Sequence, residues 1–211
     1  MKRVTAKALD QLDRLEVDSH LYFHAVDGPP DAFRGPGAQR ALLVFLCPSE
    51  GPQTPADWST VRRVCQGRGI GRYGITYLFT RVGVKSMDLP SHPDPVGLCP
   101  DADTALSAAL RWVERPWRER GGVGKSGHVV LCHGTPWKPH TTGGRMLAER
   151  QAVLWSALRT FKHPARYVGR GVNPLLPHPV PDLRTTWANP APDGGPGVSP
   201  ACTAWWATPR T

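Results

Sequence analysis

The 211-residue sequence has no apolar run approaching the roughly 18 residues that a membrane-spanning helix requires, so no membrane partner is expected. Its five cysteines, Cys47, Cys65, Cys99, Cys132 and Cys202, include no Cys-x-x-Cys pair. Such an odd, scattered set neither frames a disulfide scaffold nor supplies zinc-ligand spacing, and it suits a reducing compartment. No metal or other cofactor is therefore expected, and the localisation is read as cytoplasmic. The start, Met1-Lys2-Arg3-Val4, is basic but meets Asp10, Asp13 and Glu16 with no apolar stretch between, so this segment is not expected to act as a secretion signal. An intact phosphate-binding loop is missing too. Gly121-Gly122-Val123-Gly124-Lys125-Ser126 ends like one, but its opening glycine would fall on Glu119, and the segment precedes a strand where a phosphate loop must follow one.

What the sequence does hold points to one globular core. Hydrophobic residues make up 40% of the chain and there are eight tryptophans, while 22 glycines and 23 prolines stay below the share at which low complexity becomes the first reading. A chain of this length can bury about 70% of its unfolded surface, enough to fold without staples. The charge of +9 favours phosphate-bearing partners without naming one.

Ala8, Leu9, Leu12 and Leu15 are spaced as on one helical face, so residues 1–19 are expected to form an N-terminal amphipathic helix appended to the fold. The run Ala41 to Cys47 stops at Pro48 and reads as a strand buried on both faces. Further strands are expected at Gly74–Phe79, Val129–Cys132 and Arg166–Gly169, with a short helix over Ser59–Gln66. Asp101 can cap a helix to about Glu114 that Pro116 ends, and Met146–Phe161 has the clearest helical periodicity. Alternation of strands and helices indicates a mostly parallel central sheet in a single α/β domain over residues 20–188. Eight prolines and three glycines in residues 173–200 leave 189–211 as an irregular, partly disordered tail.

In such a sheet ligands bind at the carboxyl ends of the strands. The loops there carry Cys47-Pro48-Ser49-Glu50, Arg81-Val82-Gly83, His133-Gly134-Thr135-Pro136-Trp137 and Asn173 to Pro179 with His178. Each polar member has two readings. His133 is either a site residue or a hydrogen-bonded core histidine, His178 either a site residue or surface, and Glu50 an ordinary loop carboxylate unless a neighbour engages it. Arg62, Arg63, Arg68, Arg72 and Arg81 fall in a stretch with no acid, as do Arg120, Lys125, Lys138 and Arg145 in another. These runs are either a phosphate-binding surface or a solvated basic face.

Five motifs in order resemble the family of domain of unknown function 1643, over roughly residues 20–184. They are Ala41 to Glu50; Asp57-Trp58-Ser59-Thr60-Val61-Arg62-Arg63; Tyr77-Leu78-Phe79-Thr80-Arg81; Asp94-Pro95-Val96-Gly97; and His178-Pro179. Cys47 and Tyr77 stand where that family has asparagines. The motifs are in turn similar to the uracil-DNA glycosylase superfamily, and the resemblance implies a three-layer αβα fold with the activity of cleaving a nucleobase from its sugar. On that reading His178 is the electrophile that stabilises the departing base, and Glu50 or Asp57 handles water, since a thiol at Cys47 cannot orient it. Cys47, Pro48, Ser49, Trp58, Tyr77 and His133 would line the substrate, with Trp58 or Tyr77 against a flipped base. Arg62, Arg63, Arg68, Arg72, Arg81 and Lys138 would hold nucleic acid. The expected partner is nucleic acid or a nucleotide, and the alternative is a non-catalytic binding module of the same fold.

Overall fold

The computed structural model describes residues 4–12, 14–27, 39–48, 70–97, 101–115, 127–131, 137–138, 140–159 and 165–167. Their elements are α1 (Ala6–Asp10), β1 (Arg14–Val17), β2 (His20–Asp27), β3 (Gln39–Phe45), β4 (Ile70–Tyr77), a 3-10 turn (Ser86–Ser91), α2 (Asp101–Glu114), β5 (His128–Leu131), α3 (Thr142–Arg159) and β6 (Ala165–Tyr167). The expected helix over Ser59–Gln66 and the tail 189–211 lie outside the described residues. Among the described residues, no helix is long and apolar enough to cross a membrane.

The strands form one six-stranded sheet in the order β1-β2-β4-β3-β5-β6. β3 runs parallel to β4 and β5, and β5 parallel to β6, while β2 is antiparallel to both β1 and β4. The sheet is therefore mixed: a parallel set, as expected, extended on one side by an antiparallel hairpin that the sequence reading did not contain.

That hairpin replaces the helix expected over residues 1–19. The helix stops at Asp10, capped at its start by Thr5, whose hydroxyl accepts from the amide of Ala8 at 3.2 Å. From Arg14 the chain is extended, because Leu15 finds a cross-strand partner in Phe23. Asp18 and Ser19 turn the chain with φ of 48° and 63°, the left-handed pair that matches the twist of a two-residue hairpin. Pairing of all four residues of β1 with β2 outweighs the helical spacing of the leucines. Nor is α1 an appendage, for Leu9 is fully buried in the main core.

That core lies between the sheet and the helices. Leu42, Val44 and Leu46 along β3, Val129 and Leu131 along β5, and Phe23 and Ala25 on β2 meet Leu106, Leu110, Trp112 and Val113 of α2 and Leu147, Leu154 and Leu158 of α3. Trp112 packs edge-on against Phe23, with ring centroids 5.2 Å apart. Gly74 makes room for both, since a β-carbon there would lie 2.7 Å from the Phe23 ring and 2.9 Å from that of Trp112. The buried guanidinium of Arg40 sits 4.8 Å from the Trp112 ring centroid, donates to the Trp112 carbonyl and pairs with Asp10, which also meets Arg115 at 2.8 Å. This network ties α1 to α2 and β3. Ala41, Leu43, Tyr73, Ile75 and Val130 alternate with the inward residues along the strands and are buried as well, so both faces of the central strands are dry.

Helix α3 begins at Thr142, four residues before the expected start at Met146. Thr141 caps it, its hydroxyl accepting from Gly144 at 3.2 Å. Gly143 allows close approach, because a β-carbon there would sit 2.5 Å from the Trp137 indole. Arg150 of this helix reaches the sheet through Nε, 2.8 Å from the carbonyl of Leu78, and pairs with Asp103 of α2 at 2.6 Å.

Candidate functional site

The carboxyl ends of β3 and β4 project together at one edge of the sheet. The ladder continues past both strands: the amide of Leu78 donates to Phe45 at 3.0 Å and that of Phe79 to Leu46 at 2.8 Å. This registration brings Cys47 and Pro48 beside the end of β4. Because β2 is antiparallel to β4, its first residues, His20 and Leu21, return to the same edge, where Leu21 donates to the Thr80 carbonyl at 2.8 Å.

Cys47, Pro48 and Tyr77, three of the residues expected to line a substrate, are thus neighbours, and all three are buried. Tyr77 lies against Phe45 with ring centroids 6.4 Å apart. Burial pushes the Cys47 thiol up to about 12, so it is a protonated thiol near neutral pH and not a nucleophile. Burial likewise raises the Tyr77 phenol, and Cys47 adds to the rise against the opposing charge of Arg14. Both side chains are therefore neutral at neutral pH.

Trp137 and Lys138 join the same edge. The Trp137 ring meets Phe79 edge-on at 5.8 Å, and its Nε1 is buried with no hydrogen-bond partner among the described residues. Lys138 is exposed, its carbonyl accepting from the Thr141 amide and hydroxyl. Arg81 sits on the hairpin side, where its amide donates to Pro95 at 3.3 Å and its guanidinium to the Asp18 carbonyl at 3.4 Å.

Arg72 is not part of this edge. It is the third residue of β4, half-buried, opposite Asp27 on β2 and Arg40 on β3. It lies five residues before Tyr77 along the strand, about 17 Å, so the expectation that it lies beside the strand-end loops is corrected. The absence of acids around these arginines says nothing of where each one lies, and strand geometry draws Arg72 into the amino-terminal end of the parallel strands. His178, Glu50, Asp57, Ser49, Trp58, His133, Arg62, Arg63 and Arg68 lie outside the described residues.

A cluster that the sequence reading did not assemble surrounds His20, which is 3% exposed. Its Nδ1 is 2.9 Å from the hydroxyl of Thr80, and its Nε2 is 3.3 Å from both Asp94 Oδ2 and Arg81 Nη1. Asp94 is held in place by its other oxygen, which accepts from the Gly97 amide at 2.7 Å. Gly97 has φ of 86°, and a β-carbon there would fall 2.7 Å from the Tyr22 hydroxyl, so both conformation and space require glycine. The signal was present in Asp94-Pro95-Val96-Gly97 and Thr80-Arg81, both singled out as motifs, but nothing in the chain links them to His20 until β2 pairs with β4. Asp94, His20 and Thr80 have the composition of a hydrolytic triad with the protons running the wrong way. The Thr80 hydroxyl donates to the Val96 carbonyl at 2.6 Å and is 2% exposed, so it is neither activated nor reachable as a nucleophile.

Among the described residues, no group of three or more His, Cys, Asp or Glu side chains is arranged to hold a metal ion. Comparison with models of known families, with curated proteins and with solved structures gives no match for this chain.

Proposed function

We propose that this protein recognises a nucleobase, carried by nucleic acid or a nucleotide, at the carboxyl edge of β3 and β5. The observation that carries this reading is the order of the parallel strands. Numbered along the chain, the four occupy positions 2-1-3-4 across the sheet. In doubly wound sheets of that order the ligand crevice opens at the first and third strands, whose connections leave in opposite directions. Here that point is the end of β3, where Cys47 and Pro48 begin the loop that resembles the water-positioning loop of the uracil-DNA glycosylase superfamily. A sheet dry on both faces is what a three-layer αβα arrangement requires, and we read the fold as that of this superfamily and the chain as a relative of the domain of unknown function 1643 family. In keeping with its scattered thiols, we assign it to the cytoplasm.

In the hydrolytic form of this reading His178 stabilises the departing base, Glu50 or Asp57 activates water, and Ser49, Trp58, Tyr77 and His133 complete the pocket. Arg81 and Lys138 flank the edge as phosphate ligands, joined by Arg62, Arg63 and Arg68. A specific observation favours the non-catalytic form. Cys47 is a buried, protonated thiol at the position from which the superfamily positions water, and such a group neither accepts strongly nor activates a nucleophile.

Incubation with single- and double-stranded oligonucleotides, followed by chromatography for free base and by fluorescence anisotropy at several salt concentrations, distinguishes the forms. Base release, slowed about a hundredfold by His178→Ala, supports the hydrolase. Salt-dependent binding without release supports the module. Neither binding nor release, with nucleotides also failing to bind, overturns the reading.

A further inference from the structure

The protons around His20 can be assigned one by one. The Thr80 hydroxyl has a single hydrogen, and it is directed at the Val96 carbonyl 2.6 Å away. Toward His20 Nδ1, at 2.9 Å, the same oxygen can only accept, so Nδ1 carries the proton of the neutral ring. Nε2 is therefore the nitrogen that titrates. It faces two groups with opposite requirements: Arg81 Nη1, which needs a lone pair, and Asp94 Oδ2, which needs a proton, each at 3.3 Å. One nitrogen cannot satisfy both at once.

We propose that His20 is a proton-controlled latch on Arg81, holding the guanidinium when neutral and releasing it to an anionic ligand when protonated. With Nε2 bare, Arg81 donates to it and to the Asp18 carbonyl at 3.4 Å, which folds the guanidinium back onto the β1–β2 turn. With Nε2 protonated, the imidazolium donates to Asp94 and repels the guanidinium. Among the described residues, the groups facing the ring are Arg81 and Thr80 after β4, His92 and Asp94 in the loop before α2, and Tyr22 on β2, whose ring centroid is 6.2 Å away. Burial, then the charges of Arg81 and His92, hold His20 below its ordinary value of 6.5, with Asp94 opposing them. The latch is accordingly closed at neutral pH and opens on acidification. The identity of the anion, a nucleic-acid phosphate, rests on the function proposed above; the latch itself does not.

The test is an NMR titration of the full chain from about pH 7.5 to about pH 4.5, following the His20 ring nitrogens and the Arg81 side-chain Nε–H. The expected result is the Nδ1–H tautomer at the upper end, and an Arg81 resonance that moves with the same midpoint as His20. Arg81→Met should raise that midpoint and Asp94→Asn lower it. An Nε2–H tautomer at neutral pH, or an Arg81 resonance that stays still while His20 titrates, overturns the latch. A fluorescein-labelled single-stranded oligodeoxynucleotide supplies the second readout: acidification should tighten its binding to wild type at least about threefold more than to His20→Gln. Should that variant fail to fold, the midpoint in Arg81→Met still decides. If the oligonucleotide binds at no pH while Arg81 still tracks His20, the latch is supported and the nucleic-acid reading fails.

Discussion

Arg150 and Leu78 join the longest helix to the end of a central strand: the arginine Nε donates to the Leu78 carbonyl at 2.8 Å. Leu78 is fully buried and stands one residue past β4, so its carbonyl has left the strand and needs a donor from elsewhere. Arg150→Met should leave that carbonyl unsatisfied and cost about 1.5–3 kcal/mol, the usual range for a hydrogen bond from a charged group. Asp103→Asn, which removes only the exposed partner of the same arginine, should cost less than about 0.5 kcal/mol. Urea unfolding of the two variants checks the contrast, and equal losses would show that the helix–helix ion pair is the important contact.

Gly74→Ala should destabilise by about 1–3 kcal/mol, because a methyl group there meets the rings of Phe23 and Trp112 inside ordinary contact distance. The same denaturation experiment reads it, and a trimmed ring at position 112 (Trp112→Leu) should relieve part of the strain in the double variant.

Stability should fall on both sides of neutrality. The folded-state value of Cys47 is raised from 9.0 to about 12, so its stabilising contribution is complete below pH 9 and is lost as pH rises toward 12. Tyr77 is raised too and acts in the same direction. His20 is lowered, so its contribution is complete above 6.5 and fades as pH falls toward its folded-state value. Thermal melts across pH should show both arms, with Cys47→Ala flattening the alkaline one. Native Cys47 should also resist iodoacetamide near pH 8 and react once the chain is unfolded, as mass spectrometry of the labelled peptide would report.

Arg72 and Arg81 should separate in any nucleic-acid binding experiment. Below the pH at which His20 takes up its proton, Arg81→Met is expected to reduce the slope of log affinity against log salt by about one, whereas Arg72→Met should leave it unchanged, because Arg72 lies in the strand at the far end of the sheet. A loss of slope with Arg72→Met would mean that nucleic acid lies across the amino-terminal edge instead.

The parallel part of the fold is legible in the sequence because burial on both faces leaves continuous apolar runs such as Ala41–Leu46. Helix Asp101–Glu114 is read to within a residue, with Asp101 the first helical residue where a cap is expected, its periodicity being bracketed by an acidic start and by Pro116. The hairpin is not legible. Leu9, Leu12 and Leu15 satisfy a helical period by coincidence, and the turn is made by Asp18-Ser19, which lacks the glycine that marks most left-handed turns. The early start of α3 is hidden for a related reason: glycine has low helix propensity, and only the indole of Trp137, lying against Gly143, shows what the missing side chain there is for. Of the site, Cys47 and Pro48 could be read from a strand end, and Tyr77 joined them only through the family resemblance. The His20 cluster could not, since its other members lie 60 or more residues from His20 and reach it only through antiparallel pairing.

The first strand of the sheet also governs what the protein does in a crowd. β1 is only four residues long, its pairing with β2 is interrupted by an irregularity between Leu15 and Glu16, and its outward residues Arg14 and Glu16 pair with each other. A long, flat, apolar margin would invite a second chain to extend the sheet, and repeated addition leads to fibres. Here a newcomer would have to follow an irregular template and strip water from an ion pair to gain a few backbone hydrogen bonds. The hairpin therefore serves as a stopper: it closes the sheet on the side where β4 would otherwise offer eight residues of unpaired backbone to any passing strand.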